Sequence, residues 1–354
     1  MINLVYGYLV KHGGIGRYIS EVLSNSSMQK DIELITIENN LQLPKGTKIT
    51  KIDCNRNRQF LSISENLSFS QKVEEIVKNA DIIHSHGVYK LKPKVYTAHI
   101  CLQSYFDAVN KLGGGELPDN IDEIISLERD IVMNCGLITA VSGKVADSLA
   151  LNYNLDKENI LLIKGASRFR NVFQRKVPIN NNGNFRIGFI GGNLKAKGLH
   201  FLLGAVNILK NKGYNPIVIG AGTNQDIEKY FKETAKFNFE LKGKIDIGPD
   251  FYEGLDAYVC PSMYEAYSLS TLEAMALEVP VVSSNLNGVF YDNPDEFLAR
   301  VSDISNEEEL AEIIKKTCED KDFRERTLTS GRNISSQYSW ESISKEYDKL
   351  YSSI

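Results

Sequence analysis

Residues 257–284 read AYVCPSMYEAYSLSTLEAMALEVPVVSS, and this stretch decides the fold. AYVC and PVV are short apolar runs of the kind that form buried strands. Between them, STLEAMALE is rich in residues that favour helices, and it follows a serine that can begin one. A strand, a helix and a second strand in series are typical of a parallel βαβ unit.

The same alternation continues in both directions along the chain. Strand candidates are INLVYGY, IELITIE, DIIHSH, KVYTAHI, GLITAVS and NILLIKG in the first half, and FRIGFIG, NPIVIGAG and FNFELKG in the second. PINNNGN at 178–184 has no periodicity and is the best candidate for a linker. We therefore predict an α/β protein of two Rossmann-like, doubly wound parallel-sheet domains, 1–177 and 178–340, that face a cleft. A last helix at about 341–354 is expected to pack back on the first domain.

Size and composition agree with two globular domains. The chain has 354 residues, of which 42% are hydrophobic and 24% are charged, and one hydrophobic core rarely supports that length. The five scattered cysteines form no CxxC pair, so reduced thiols are expected. We interpret the first apolar run as a core strand and find no stretch of the ~20 apolar residues that a membrane helix needs. A cytoplasmic protein is expected, with room for a peripheral contact at the inner face of the membrane.

The net charge of −4 is unevenly distributed, because basic residues exceed acidic ones in the first half only. Lys90, Lys92 and Lys94 lie in one predicted loop, and Arg56 and Arg58 lie in another. A basic face favours an anionic or membrane-associated acceptor. The alternative is that these side chains are ordinary solvated surface.

Two glycine-containing turns lie between a predicted strand and a predicted helix. HGGIGR carries Gly13 and Gly14, and GGNLKAKGLHF carries Lys195 and Lys197. Glycines let the backbone approach an anion, and the amides at a helix start favour negative charge. The first turn is not GxGxxG, so it could equally be a tight connection, and a lone lysine is often only solvated.

The stretch quoted first also carries two carboxylates, Glu265 and Glu273. Glu265 lies in the loop after a strand, and Glu273 lies inside the next helix, beside small apolar residues that predict burial. A buried carboxylate needs a partner. Ser268 and Leu269 begin that helix, where free amides can bind phosphate. The two carboxylates are suited to accept hydrogen bonds from the hydroxyls of a ribose and of a sugar.

This block resembles the E-x7-E signature of retaining GT-B glycosyltransferases, in particular glycosyltransferase family 4. The corresponding pieces are LEAMA at 272–276, PVV at 280–282 and EAYS at 265–268, which departs from the family's EGFG. TAH at 97–99, AVS at 140–142, the KG pair at 197–198 and YSWE at 338–341 extend the resemblance. It implies transfer, with retention, of a sugar from a UDP- or GDP-sugar to a glycan, lipid-linked or other hydroxyl acceptor. It also implies no metal ion and no other cofactor.

The resemblance also implies roles for individual residues. Glu273 would hold the donor ribose, and Glu265 would lie near the hydroxyls and reacting face of the transferred sugar. Lys197 would hold the diphosphate together with the amides of Ser268 and Leu269, and Gly13 and Gly14 would bring backbone near the phosphates. His99 resembles the histidine that lies against the donor sugar. His99, Glu265 and Lys197 are thus the expected catalytic residues.

His84 and His86 fall on one side of a strand, because side chains alternate along strands. With His99 they could form a three-histidine metal site. We favour the alternative, in which they are polar residues at the end of the sheet. No DxD sequence occurs where it would bind a metal, so fixed cations and amides are expected to stabilise the leaving diphosphate.

The chain departs from the family pattern at several positions. Gly192 stands where the family usually has an arginine, Lys164–Ser167 replaces NG-x-D, and only Asn287–Gly288 remains of a GG-x-x-E. Lys195 could supply the missing charge, or it could point to water. Two other functions remain open: a non-catalytic subunit that binds nucleotide sugar, and a GT-B-like sugar-nucleotide epimerase. A nicotinamide oxidoreductase is disfavoured, since GxGxxG is missing.

Overall fold

The computed structural model describes residues 1–10, 13–54, 63–78, 81–114, 117–169, 183–222, 237–243 and 245–354. The chain divides into two compact units. The first comprises 1–106, 117–165 and 339–354, and the second comprises 107–116 and 166–338. The predicted boundary at 177/178, most of the predicted linker, and Arg56 and Arg58 lie outside the described residues.

The first unit is built on a sheet of seven strands, all paired in parallel, in the order β5-β3-β1-β6-β7-β8-β9. A separate parallel pair joins β2 to β4. The strands are β1 Ile2–Val5, β2 Tyr8–Leu9, β3 Ile32–Thr36, β4 Glu38–Asn39, β5 Lys48–Lys51, β6 Ile82–Ser85, β7 Val95–Ala98, β8 Leu137–Ala140 and β9 Ile160–Leu162.

The helices that accompany this sheet are α1 Gly14–Asn25, α2 Ile63–Ile76, α3 Leu102–Lys111, α4 Ile121–Asn134, α5 Gly143–Tyr153 and the last helix, Trp340–Ser353. The last helix packs against α1, where the hydroxyls of Tyr18 and Tyr347 are 3.1 Å apart. Ser339 begins it with a capping box, in which its side chain and that of Ser342 exchange hydrogen bonds with backbone amides.

The second unit has a sheet of six parallel strands in the order β12-β11-β10-β13-β14-β15. They are β10 Arg186–Gly191, β11 Ile217–Gly222, β12 Asn238–Leu241, β13 Ala257–Cys260, β14 Val281–Ser284 and β15 Arg300–Val301. The helices of this unit are α6 Leu199–Asn211, α7 Pro249–Tyr252, α8 Leu269–Ala276, α9 Gly288–Tyr291, α10 Glu307–Glu319 and α11 Lys321–Ser336.

Both sheets are covered by apolar helix faces, which explains why the strands are almost continuously apolar. In the second unit, Phe189 of β10, Leu202 and Val206 of α6 and Val282 of β14 are buried in one cluster. The predicted fold class, two α/β domains with parallel sheets, is confirmed. Within the part of the chain that the structure describes, no helix combines the length and apolar character needed to cross a membrane.

Candidate functional site

The loop between β10 and α6 has a shape that only glycine permits. Gly198 has a φ of 70°, and a Cβ at this position would lie 1.9 Å from the carbonyl oxygen of Pro261. The amide of Met263 donates to the carbonyl of Ala196 over 2.9 Å, so the loop packs directly on the segment that follows β13. Because both segments leave parallel strands at the same edge of the sheet, their side chains are brought together.

Lys197, in this loop, forms an ion pair with Glu265 through its Nζ and Oε2 atoms. The lysine side chain is 33% exposed and that of Glu265 is 15% exposed, so the pair is sheltered from water on one side. Lys195 is exposed, and its neighbour Ala196 is buried. The structure therefore joins two of the predicted catalytic residues directly and leaves Lys195 at the surface.

Backbone hydrogen bonds fix the position of Glu265. Its amide donates to the carbonyl of Leu286 over 2.8 Å, and its carbonyl accepts from the amide of Gly288 over 2.8 Å. Glu265 thus pairs with Asn287 as an isolated parallel bridge. Asn287 is 1% exposed, and its side chain donates to Thr271 at 3.1 Å and Ser283 at 3.3 Å. Asn287, which in the sequence is only the remnant of a motif, connects the loop of Glu265 to α8.

Ser268 is the N-cap of α8, and its hydroxyl accepts a hydrogen bond of 3.2 Å from the amide of Thr271. The side chain is buried, and its hydroxyl also lies 3.1 Å from that of Ser270. Leu269 follows as the first residue of the helix and is partly buried. The serine thus satisfies one of the amides that have no partner within the helix at its start.

Glu273, in the middle of α8, is almost completely buried, with 1% of its surface exposed. Its Oε1 atom lies 3.0 Å from Nε of Arg168, and its Oε2 atom accepts a hydrogen bond of 3.1 Å from the hydroxyl of Tyr252. The prediction that this glutamate would be buried and partnered agrees with these contacts. Neither partner was expected from the sequence, because each belongs to a segment far from α8 along the chain.

The other predicted residues lie in the first unit. Gly13 is the N-cap of α1 in an extended conformation, with φ −94° and ψ 129°, and its amide donates to Val10. Gly14 begins the helix and is exposed, and a Cβ there would meet no atom within 4 Å. Its backbone is therefore approachable. The same helix carries Tyr18, whose ring meets that of His99 edge-on, with centroids 5.0 Å apart.

His99 belongs to a buried polar network at the ends of β6 and β7. Its Nε2 atom lies 2.9 Å from Nδ1 of His86. His84 uses both ring nitrogens, with Nδ1 at 2.6 Å from the hydroxyl of Tyr351 and Nε2 at 2.7 Å from that of Thr97. Thr97 in turn lies 3.0 Å from the hydroxyl of Tyr347. The last helix thus contributes two tyrosines to this network.

These histidines are held as neutral rings. Burial lowers the pKa of His84 and of His99 to about 3, with the charge of His99 adding to the effect on His84. Burial also lowers the pKa of His86 well below its ordinary value. The two nitrogens of His84 are engaged by hydroxyls, as expected for polar residues at a sheet end. Among the residues that the structure describes, no three His, Cys, Asp or Glu side chains are grouped so that they could hold a metal ion.

Comparisons with known proteins show what the chain is similar to. Residues 184–320 match the family of glycosyl transferases group 1. The capsular polysaccharide biosynthesis glycosyltransferase CapM of Staphylococcus aureus is 29% identical over 250 residues, which cover 64% of this chain and 65% of CapM. The chain thus spans about two thirds of the length of that relative.

Solved structures share the architecture. WaaG, a glycosyltransferase involved in lipopolysaccharide biosynthesis, superposes with a TM-score of 0.80 at 14% identity over 99% of each chain. Anabaena HepE in complex with UDP and glucose gives a TM-score of 0.73 at 15% identity, over 100% of this chain and 99% of HepE. At sequence identities of 14% and 15%, these similarities are evidence for the fold alone. Residues 184–320 are therefore similar to the group 1 glycosyltransferases, within a chain that has the GT-B fold of two parallel-sheet α/β domains.

Proposed function

We propose that this chain is a retaining, metal-independent glycosyltransferase that moves a sugar from a UDP- or GDP-sugar to a hydroxyl acceptor. The observation that carries the proposal is the pairing of two carboxylates with two cations around one helix start. Glu265 faces Lys197, Glu273 faces Arg168, and the N-cap of α8 lies between the two glutamates in sequence. The family of residues 184–320 supports the same assignment.

The diphosphate of the donor would be bound by Lys197 and by the first amides of α8, at Ser268 and Leu269. An ammonium group has three N–H donors, so Lys197 can serve Glu265 and a phosphate oxygen together. The amides add the positive end of the helix dipole. Gly14, exposed at the start of α1, is suited to the approach of backbone to an anion, together with Gly13. Lys195 would add charge from the loop surface.

The ribose would bind to Glu273, and the transferred sugar to Glu265. Each carboxylate oxygen can accept more than one hydrogen bond, so the contacts with Arg168 and Tyr252 leave Glu273 able to accept from ribose hydroxyls. Glu265, more exposed than Glu273 and beside Lys197, is suited to hydroxyls of the sugar near the bond that breaks. This division places one carboxylate at each end of the donor.

In the reaction, the bond between the anomeric carbon and the diphosphate oxygen breaks while the acceptor oxygen attacks the face that the diphosphate leaves. The departing phosphate oxygen takes the acceptor proton, so no separate base is required. Lys197 and the helix amides stabilise the charge that develops on the leaving group. His99, neutral because of its burial, would position the sugar through hydrogen bonding rather than by charge.

The acceptor is expected to be a glycan, a lipid-linked sugar or another hydroxyl compound of polysaccharide or glycoconjugate synthesis, as the names of CapM and WaaG suggest for those proteins. In the first unit, Lys90, Lys92 and Lys94 are exposed and alternate with buried Leu91 and Pro93. This row of ammonium groups favours an anionic or membrane-bound acceptor. Salt-sensitive binding to anionic vesicles measures this part of the proposal.

The test separates nucleotide binding from turnover. Glu273→Gln should weaken the binding of UDP and GDP by about 1–3 kcal/mol, because a hydrogen-bonded charge is lost. Glu265→Gln should lower turnover and leave the binding of free nucleotide nearly unchanged. Glu240→Gln is the matched control, since Glu240 also pairs with basic residues, Arg186 and Lys242, but at the surface of the same unit.

Isothermal titration and a transfer assay in EDTA complete this experiment. Equal losses of nucleotide affinity in the Glu265 and Glu273 variants would refute the division of roles. Activity that disappears in EDTA and returns with manganese or magnesium would refute metal independence. Nucleotide binding without any transfer would favour the non-catalytic subunit, and a changed donor sugar with an unmodified acceptor would favour the epimerase.

A further inference from the structure

Arg168 joins three segments of the second unit. Its Nε atom lies 3.0 Å from Oε1 of Glu273, and its Nη1 atom lies 3.8 Å from Oδ1 of Asp246. Its Nη2 atom donates to the carbonyl of Ile247, and the guanidinium lies over the ring of Phe169, 4.8 Å from its centroid. A planar guanidinium has donors that point in several directions, which a lysine cannot reproduce.

The carboxylate that Arg168 contacts is the more buried member of the pair of glutamates. The side chain of Glu273 is 2% exposed, against 24% for Arg168 and 53% for Asp246. A buried carboxylate stays ionised only with a nearby opposite charge and with hydrogen bonds to its oxygens. Among the described residues, those that face Glu273 include Arg168 through its guanidinium and Tyr252 through its hydroxyl, and Tyr258 is close enough to interact electrostatically.

Arg168 and Tyr252 hold Glu273 from two sides, one on each oxygen. The contact with Tyr252 is a hydrogen bond, and the contact with Arg168 is an ion pair that places a positive charge beside the other oxygen. Tyr252 is itself placed by the ring of Phe169, at a centroid distance of 6.3 Å, so the residue after Arg168 supports the second contact. The segment 168–169 therefore contributes to both contacts, although the hydroxyl of Tyr252 also donates to the carbonyl of Ser270 over 3.3 Å.

We propose that Arg168 is a positioning residue for nucleotide binding, which keeps Glu273 ionised and directed toward the ribose of the donor. This inference rests on the proposed function, in which Glu273 binds the ribose. Arg168 acts through the carboxylate and is not a catalytic residue. Gly192 stands where the family usually has an arginine, whereas Arg168 would act at the ribose end of the donor.

The experiment measures the affinity of the full-length protein for UDP and for GDP at pH 8 and pH 6, in wild type, Arg168→Met and Arg168→Lys. Arg332→Met is the matched control, because Arg332 also pairs with two glutamates, Glu278 and Glu325, at the surface. The phosphate of the free nucleotide itself titrates with a pKa of about 6. Each result is therefore expressed as the ratio of variant to wild-type dissociation constants at the same pH.

Arg168→Met should raise the dissociation constant about tenfold at pH 8 and further at pH 6. Without the guanidinium, a proton becomes the remaining way to neutralise the buried carboxylate, and a protonated Glu273 is a poorer acceptor. Arg168→Lys should give a smaller rise with a weaker dependence on pH, since it keeps the charge. Arg332→Met should give a ratio near one at both pH values.

Two outcomes would overturn the inference. One is a ratio near one for Arg168→Met at both pH values, and the other is a loss that is the same at pH 6 and pH 8, which a packing defect would cause. If Arg168→Met does not fold, Arg168→Gln, which is polar but carries no charge, decides by the same two criteria. Glu273→Gln separates this failure from that of the proposed function. A normal nucleotide affinity in Glu273→Gln removes the ribose assignment, whereas a reduced one leaves it in place whatever Arg168 does.

Discussion

The two units keep buried polar groups in opposite electrostatic states. In the first, the pKa values of His84, His86 and His99 are lowered by burial, so the rings hydrogen-bond without charge. In the second, Glu265 and Glu273 each face a cation. Burial alone drives an ionisable group to its neutral form, whereas an opposite charge nearby preserves the ion. A neutral network suits hydroxyl groups, and a set of paired charges suits a donor that brings its own negative charge.

The largest expected effect concerns Gly198, which shapes the loop that carries Lys197, the partner of Glu265. Alanine at this position has to adopt a left-handed conformation with φ near 70° and also displace the carbonyl of Pro261, which a Cβ would approach to 1.9 Å. We expect Gly198→Ala to lower the unfolding free energy of the second unit by about 3–4 kcal/mol. Urea unfolding followed by far-UV circular dichroism measures the change.

Gly213→Ala is the matched control for that variant. Gly213 has a φ of 91°, but a Cβ there would meet no atom within 4 Å. It should cost about 1 kcal/mol, the cost of the backbone conformation alone. Equal losses in the two variants would mean that the contact with Pro261 does not hold the loop.

The next largest effect concerns turnover and compares the two lysines of that loop, Lys197 and Lys195. Lys197→Met should reduce turnover about 100-fold, or about 2.7 kcal/mol of transition-state stabilisation, because its ammonium is sheltered beside Glu265. Lys195→Met should reduce turnover about tenfold, since the exposed side chain acts through water. Steady-state kinetics with a saturating acceptor measures both. Wild-type turnover in Lys195→Met would show that Lys195 does not contribute to the reaction and that, of the two lysines, Lys197 alone does.

The smallest effect concerns the buried histidines of the first unit and is measured as the change of the unfolding free energy with pH. The pKa of His84 is about 3 in the folded chain against 6.5 for an ordinary histidine. The unfolded chain therefore binds a proton below pH 6.5 that the folded chain refuses, so stability is present above pH 6.5 and is lost as the pH falls toward 3. One such histidine lowers the free energy of unfolding by about 2 kcal/mol between pH 6.5 and pH 5. His84→Gln should remove about that much of the loss.

Trp340, the one tryptophan of the chain, reports this transition, because its ring packs edge-on against Tyr18 in the first unit. Its fluorescence during urea unfolding gives the free energy of unfolding at pH 7 and at pH 5, and the difference between the two is compared among variants. His200→Gln, at the half-buried start of α6 in the second unit, is the comparison variant; burial and Lys195 also lower the pKa of His200, so it should change the difference less than His84→Gln does. An unaltered difference in His84→Gln would indicate that His84 is protonated in the folded chain as well.

The sequence predicted those features that depend on neighbouring residues. The strand–helix–strand order around 257–284 and the burial of Glu273 follow from local apolar patterns, and the structure has both. Strand Lys48–Lys51 was not predicted, because KITK is an exposed edge strand without an apolar run. Edge strands keep polar residues that hide them from pattern analysis.

The contacts that the sequence did not indicate are those between distant positions. His84 and Tyr351 are 267 positions apart, and Tyr18 and Tyr347 are 329 apart. The pairing of Arg168 with Glu273 is also long-range, and periodicity carries no information about such pairs. An arginine just after the altered KGAS motif was the available signal, since a predicted buried glutamate needs a cation.

The discontinuous first unit has a consequence for the order in which the protein is made. The unit consists of 1–106, 117–165 and 339–354, so almost all of the second unit is synthesised before Trp340, Tyr347 and Tyr351. Domains fold as their residues leave the ribosome. The second unit can therefore mature first. The imidazoles of the first unit stay in contact with water until the helix at 340–353 has emerged and covered them.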